Sequence, residues 1–137
     1  MRNPMVQVLI SAAAARDYPP ERLIAQAWLE SQFDPAATSP AGAVGLMQFE
    51  PATAAQFGIN PLDPAAAAGA ACSYMNALLL KYDGNLAMAL AAYNWGEGHL
   101  DQCCRAHDGM WLTFVPAETL RYVHNNLAYA MFAAEML

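Results

Sequence analysis

The sequence predicts an all-α protein, and three observations carry that prediction. Proline and glycine punctuate an apolar pattern of helical period along most of the chain. No run of five alternating apolar and polar residues marks a strand. At 137 residues with 57% hydrophobic and only 13% charged side chains, the chain can bury a core of its own and is not disordered. One domain over 1–137 is therefore expected.

The elements follow in order. A first helix is predicted from about Pro4 to Arg16, with Val6, Ile10 and Ala13 on one face and Val8 and Leu9 alongside. The same N-terminal stretch, beginning with Met1 and Arg2, loosely imitates an export signal, but Pro4 and the periodicity favour a helix. Pro20, whose missing N–H costs nothing in a first turn, opens a second helix to about Gln32, before Asp34-Pro35. Residues 34–50 hold no helical period and contain Pro35, Ser39, Pro40, Gly42 and Gly45. An ordered loop, with room for a short hairpin, is expected there, too long for a mere connector. Pro51 to Phe57 reads as a short helix closed by Gly58. Asp63-Pro64 caps a helix to about Tyr82, and Asn85 to about Asn94 forms another. A turn at Trp95-Gly96-Glu97-Gly98 precedes a weak helix around Leu100–Ala106. Pro116 opens the last helix, with Leu120, Val123, Leu127, Ala130 and Met131 as its expected core stripe and Glu118, Tyr122 and Tyr129 on another face.

Composition excludes several functions. The net charge is −6 and the six Lys+Arg are scattered singly, so no basic patch exists for nucleic acid or an anionic surface. The apolar runs are alanine-rich and interrupted, so none reads as a membrane span. Cys72, Cys103 and Cys104 form no C-x-x-C pair and the three His lack ligand spacing, so no metal or cofactor is expected. Buried thiols are the simplest reading, with pairing of Cys72 to a neighbour left open.

One stretch, 45-GLMQFEPATA-54, places an amide and an acid inside an apolar run. Upstream, Leu23, Ala27 and Glu30 share a face of the second helix, beside a stripe of Ile24, Ala27 and Trp28. Glu30 thus falls at the edge of a buried face, near a helix C-terminus. Desolvation and the helix dipole both raise a carboxyl pKa there, as a general acid requires. A Glu bonded to a loop amide or paired with Arg is the structural alternative.

Glu30-Ser31, then 39-SPAGAVGLMQ-48 with 51-PATA-54, then 92-AYN-94, then 118-ETLRYV-123 resemble, in order and spacing, the soluble lytic transglycosylase catalytic domain. That is a lysozyme-like domain related to goose-type lysozyme, of the α+β lysozyme-like superfamily with little or no sheet. The resemblance implies Glu30 as a single catalytic acid/base and Ser39 as the serine positioning the N-acetyl group or glycosidic oxygen. It implies Met47 and Gln48 as cleft residues, Tyr93 and Asn94 as the groups orienting acid and sugar, and Glu118 and Tyr122 as further cleft positions. Gln48 then faces a glycan and Leu46 the core, while Glu50, with no implied role, is expected at the surface. Trp95 departs from the family's small-residue turn and offers a stacking surface. The Cys103-Cys104 and Trp111 segment matches no motif.

The implied reaction cleaves the β-1,4 bond between N-acetylmuramic acid and N-acetylglucosamine of peptidoglycan and closes a 1,6-anhydro ring. Hydrolysis by a muramidase using Asp34, or a glycan-binding module without activity, are the rivals. Action at the bacterial cell wall, in the periplasm, is implied. The acidic charge is unusual for a free wall-degrading enzyme, because walls are anionic. With no export signal read, a phage virion, delivery by a secretion apparatus, or a longer parent chain is expected.

Overall fold

The computed structural model describes residues 3–137; Met1 and Arg2, included in the N-terminal reading above, lie outside them. Among the described residues there are eight helices and only two isolated antiparallel bridges, Thr38 with Val44 and Val44 with Phe49. The helices are α1 (Pro4–Ala15), α2 (Pro20–Ser31), α3 (Pro51–Phe57), α4 (Pro64–Lys81), α5 (Leu86–Trp95), α6 (Glu97–Ala106), α7 (Trp111–Phe114) and α8 (Ala117–Met136). The all-α expectation is met.

Local chemistry sets the ends. Asn3 accepts from the Met5 amide at 2.9 Å, Asp63 from those of Ala65 and Ala66 at 3.1 and 3.3 Å, and Asn85 from that of Met88 at 3.0 Å. Each satisfies amides a helix start leaves free. Gln32 stops α2 in a left-handed conformation.

The core gathers Leu9, Leu23, Leu46, Met75, Leu78 and Leu100, all fully buried. Between them lie Ala67, Ala68 and Ala71 of α4 and Ala89, Ala91 and Ala92 of α5, whose small side chains permit close helix approach. Cys72 and Cys103 are buried, Cys104 is half-buried, and all three are free thiols.

Three sequence readings are corrected. The turn expected over 95–98 is shorter: α5 runs to Trp95 and α6 starts at Glu97, because Gly96 makes the bend alone at φ +103°. Helix α7 was not foreseen; four residues are too few to display a period. The inward face of α8 is turned by one position from the expected stripe, roughly 100°. Of that stripe Val123 is buried as expected, but Leu120, Leu127 and Met131 are 43, 41 and 74% exposed, whereas Thr119, Tyr122, Asn126 and Ala133 are buried. Apolar content alone favours the leucine face. The polar face turns inward because its groups find partners: Thr119 donates to Asn94 Oδ1 and Tyr122 to Glu30 Oε2, both at 2.9 Å. A polar group buried with a partner costs little, so the apolar face is left outside.

Candidate active site

The site is a cleft of about 700 Å³ between the C-terminal ends of α2 and α5, the loop 34–50 and the first turns of α8. Glu30 occupies the last turn of α2. The neighbouring Ser31 donates to its own helix at Ala27 O (3.1 Å) and across to Leu46 O (2.8 Å), fastening the loop to the acid-bearing turn.

The loop is held by its own bonds. Val44 and Phe49 exchange backbone hydrogen bonds at 2.9 and 3.1 Å, and Gly45 N reaches Ala37 O at 2.7 Å. Gln48 lines the cleft, with Nε2 donating to Ala37 O (3.1 Å) and Gly45 O (2.9 Å). Its nitrogen therefore stiffens the loop and its oxygen is left for a ligand. Ser39 lines the cleft and accepts from Ala43 N at 3.0 Å through Oγ, which keeps its own proton to donate.

Met47 does not line the cleft, contrary to the expectation. Its side chain is fully buried and only its carbonyl takes part, accepting from the Tyr93 hydroxyl at 3.2 Å. The bridge between Val44 and Phe49 turns Leu46 and Met47 inward together. Glu50 is exposed as expected, but it also lines the cleft.

Tyr93 and Asn94 end α5 at the cleft, and Tyr93 belongs to a run of tilted rings with Phe49 and Tyr74 at 6.1 and 5.4 Å between centroids. Trp95 lines the cleft and stacks on His99 at 5.3 Å and 17°. Glu118 and Tyr122 reach it from α8. Arg121 and Asn125 join them and were missed, although positions 118, 121, 122 and 125 follow one helical face. His99 was missed because it becomes a cleft residue only through the bend at Gly96. Asp34 accepts from Ala36 N at 2.9 Å and is not among the cleft-lining residues. Among the described residues, no group of three His, Cys, Asp or Glu is placed to hold a metal ion.

Burial pushes the Glu30 carboxyl up to about 7; the Tyr122 hydroxyl opposes this by donating to it, and the nearby Glu118 charge adds to it. At neutral pH the group is thus poised between acid and base. A folded-state pKa above the ordinary 4.5 means the folded state binds the proton more tightly than the unfolded chain. Stability should then be undiminished below about 4.5, fall as pH rises towards about 7, and level off beyond. The full loss is on the order of 3 kcal/mol. Carbon-13 NMR of the Glu30 carboxyl should show the midpoint near 7, and urea melts at pH 5 and pH 8 should show the falling stability. A midpoint at or below the ordinary value would contradict the assigned burial.

Residues 7–109 match the family model of the transglycosylase SLT domain. The chain is 33% identical over 122 residues to the membrane-bound lytic murein transglycosylase D of Escherichia coli (strain K12), over 80% of this chain and 27% of that protein. It is 42% identical over 82 residues to the peptidoglycan transglycosylase gp16 of Escherichia phage T7, over 54% of this chain and 6% of that one. In three dimensions it resembles the 70 kDa soluble lytic transglycosylase of Escherichia coli with a TM-score of 0.82 and 27% identity, over 95% of this chain and 24% of that one. The chain spans about a quarter of the length of the first of these relatives and of that solved structure. The family match ends before α8, while the structural likeness takes in nearly the whole chain. A helical fold with Glu30 in a cleft, and a family match over most of its length, place the chain in the transglycosylase SLT domain family.

Proposed function

We propose that this protein is a peptidoglycan lytic transglycosylase, with Glu30 as its one catalytic acid and base. The observation that carries this reading is a carboxyl at an open cleft, held by a single phenol, and its burial raises it to about 7. Protonated Glu30 donates to the glycosidic oxygen as the bond to the muramic C1 breaks. The muramic N-acetyl carbonyl stabilises the positive charge growing at C1, which removes the need for an enzyme nucleophile. The Glu30 carboxylate then takes the proton of the C6 hydroxyl, whose oxygen bonds to C1. No water is consumed, and Glu30 ends protonated as it began.

The remaining cleft groups have roles suited to a glycan strand. Ser39 offers a hydroxyl and Gln48 an oxygen on one wall; Tyr93 and Asn94 shape the floor. The stacked Trp95–His99 pair gives an aromatic face for a sugar ring, and Tyr122 and Glu118 adjust, in opposite directions, the protonation that burial gives Glu30. Likeness to murein and peptidoglycan transglycosylases, one of them from a phage, supports action on the bacterial wall and a place within a larger protein or assembly. No helix among the described residues is long and apolar enough to cross a membrane.

Hydrolysis is the second reading, and Glu118 favours it, because a second carboxylate near Glu30 could activate water. Mass spectrometry of the products separates the two. Purified peptidoglycan should yield muropeptides ending in 1,6-anhydro-muramic acid, one water lighter than hydrolytic products. Reducing-end products would support hydrolysis, and binding without cleavage would support an inactive glycan-binding module.

A further inference from the structure

The interface of α2 and α8 buries an amide that the reaction above leaves unused. Gln26 is 0% exposed and lies one helical turn before Glu30 on α2. The Tyr18 hydroxyl, itself buried, donates to Gln26 Oε1 at 2.9 Å, which fixes the orientation of the amide. Gln26 Nε2 is then a buried donor with no hydrogen bond of good geometry. A donor in that state is costly unless an acceptor stands near.

The acceptor group that Gln26 meets is the Tyr122 oxygen, although no bond of good geometry joins them. Tyr122 has one hydroxyl proton and gives it to Glu30 Oε2 at 2.9 Å, so towards any other group its oxygen can only accept. Burial and the charges of Glu30 and Tyr93 push the Tyr122 phenol far up, and the Gln26 amide acts against them, as a donor facing the phenol does. We propose that Gln26 is a positioning residue acting through Tyr122: anchored by Tyr18, its N–H holds the Tyr122 hydroxyl aimed at Glu30. The role rests on Glu30 being the acid and base proposed above. With Gln26 on its oxygen, Tyr122 remains a donor to Glu30 and is a poor acceptor of the Glu30 proton. That proton is then kept for the cleft, and the carboxylate formed when it leaves is stabilised at once.

The titratable groups around Glu30 are Tyr122 and Glu118 from α8 and Tyr93 from α5, with Arg121 of α8 also at the cleft. Tyr18 and Cys72 stand behind the relay. Removing Gln26 alone would orphan the Tyr18 hydroxyl, so both partners are replaced together, as Tyr18→Phe with Gln26→Met. Carbon-13 titration of the Glu30 carboxyl is then compared in the parent protein, this double variant, Tyr122→Phe and the triple variant. Tyr122→Phe should raise the midpoint. The double variant should raise it by less, and the triple variant should match Tyr122→Phe, since Gln26 acts only through the phenol. An unchanged midpoint in the double variant would overturn the proposal, as would an equal rise once the phenol is gone. Should the double variant not fold, Tyr18→Phe alone keeps the packing and releases the anchor. A rise then supports the relay, and no rise ends it. The readout needs no turnover, so a protein that cleaves nothing would defeat the transglycosylase reading without touching this test.

Discussion

Glu30→Gln is expected to abolish detectable glycan cleavage and to leave binding of the strand in place, on the role proposed for Glu30 above. Glutamine keeps the size of the side chain and an oxygen for the Tyr122 hydroxyl, which donates at 2.9 Å, but it has no transferable proton. Loss of general acid and base catalysis is worth roughly 10²–10⁴-fold in rate. Loss of both proton transfers places the variant at or beyond the upper end. Binding of peptidoglycan fragments by titration calorimetry should change little. The same substitution removes a buried titrating group, so the stability of the variant should no longer fall between pH 5 and 8, and its melting temperature at pH 8 should exceed that of the parent. Cleavage within tenfold of the parent rate would show that another residue supplies the proton.

Gly45→Ala is the second large effect, and it acts on the fold. Gly45 sits at φ +87°, and a Cβ there would lie 1.9 Å from the Pro61 carbonyl oxygen and 2.9 Å from its carbon. Both atoms are backbone, so the clash is relieved only by moving the loop or the segment before α4. Left-handed strain contributes about 1–2 kcal/mol and the forced displacement about as much again or more. A destabilisation of roughly 3 kcal/mol or more in urea is expected. Activity should fall even where the chain still folds, because Gly45 O and N anchor Gln48 Nε2 and Ala37 O. Gly42→Ala is the control: its φ is +95° but nothing lies within 4 Å of a Cβ, so strain alone applies. Equal losses at the two positions would show that the contact with Pro61 does not matter.

Much of this molecule was legible in its residues. Pro4, Pro20, Pro51 and Pro64 each open a helix where the sequence placed one, because a residue without an N–H suits a first turn wherever it stands. The loop 34–50 was legible from its glycines and prolines. The place of Glu30 at the edge of an apolar face of α2 was legible too, since that face belongs to a single segment. These features depend on contacts within about one helical turn of chain.

What only the tertiary structure decided depends on pairs far apart in sequence. Leu120, Leu127 and Met131 looked like core and are exposed, because Thr119 and Tyr122 have partners on α5 and α2 that no periodicity of α8 reveals. Met47 looked like a cleft residue and is core, because a two-residue bridge chose which way the loop faces. Arg121 became a cleft residue, and Gln26 became buried beside the Glu30–Tyr122 pair, only when α2, α5 and α8 met. A local pattern fixes which residues can share a face. Which face is buried is settled by the hydrogen bonds and volumes it meets there, and those belong to other segments.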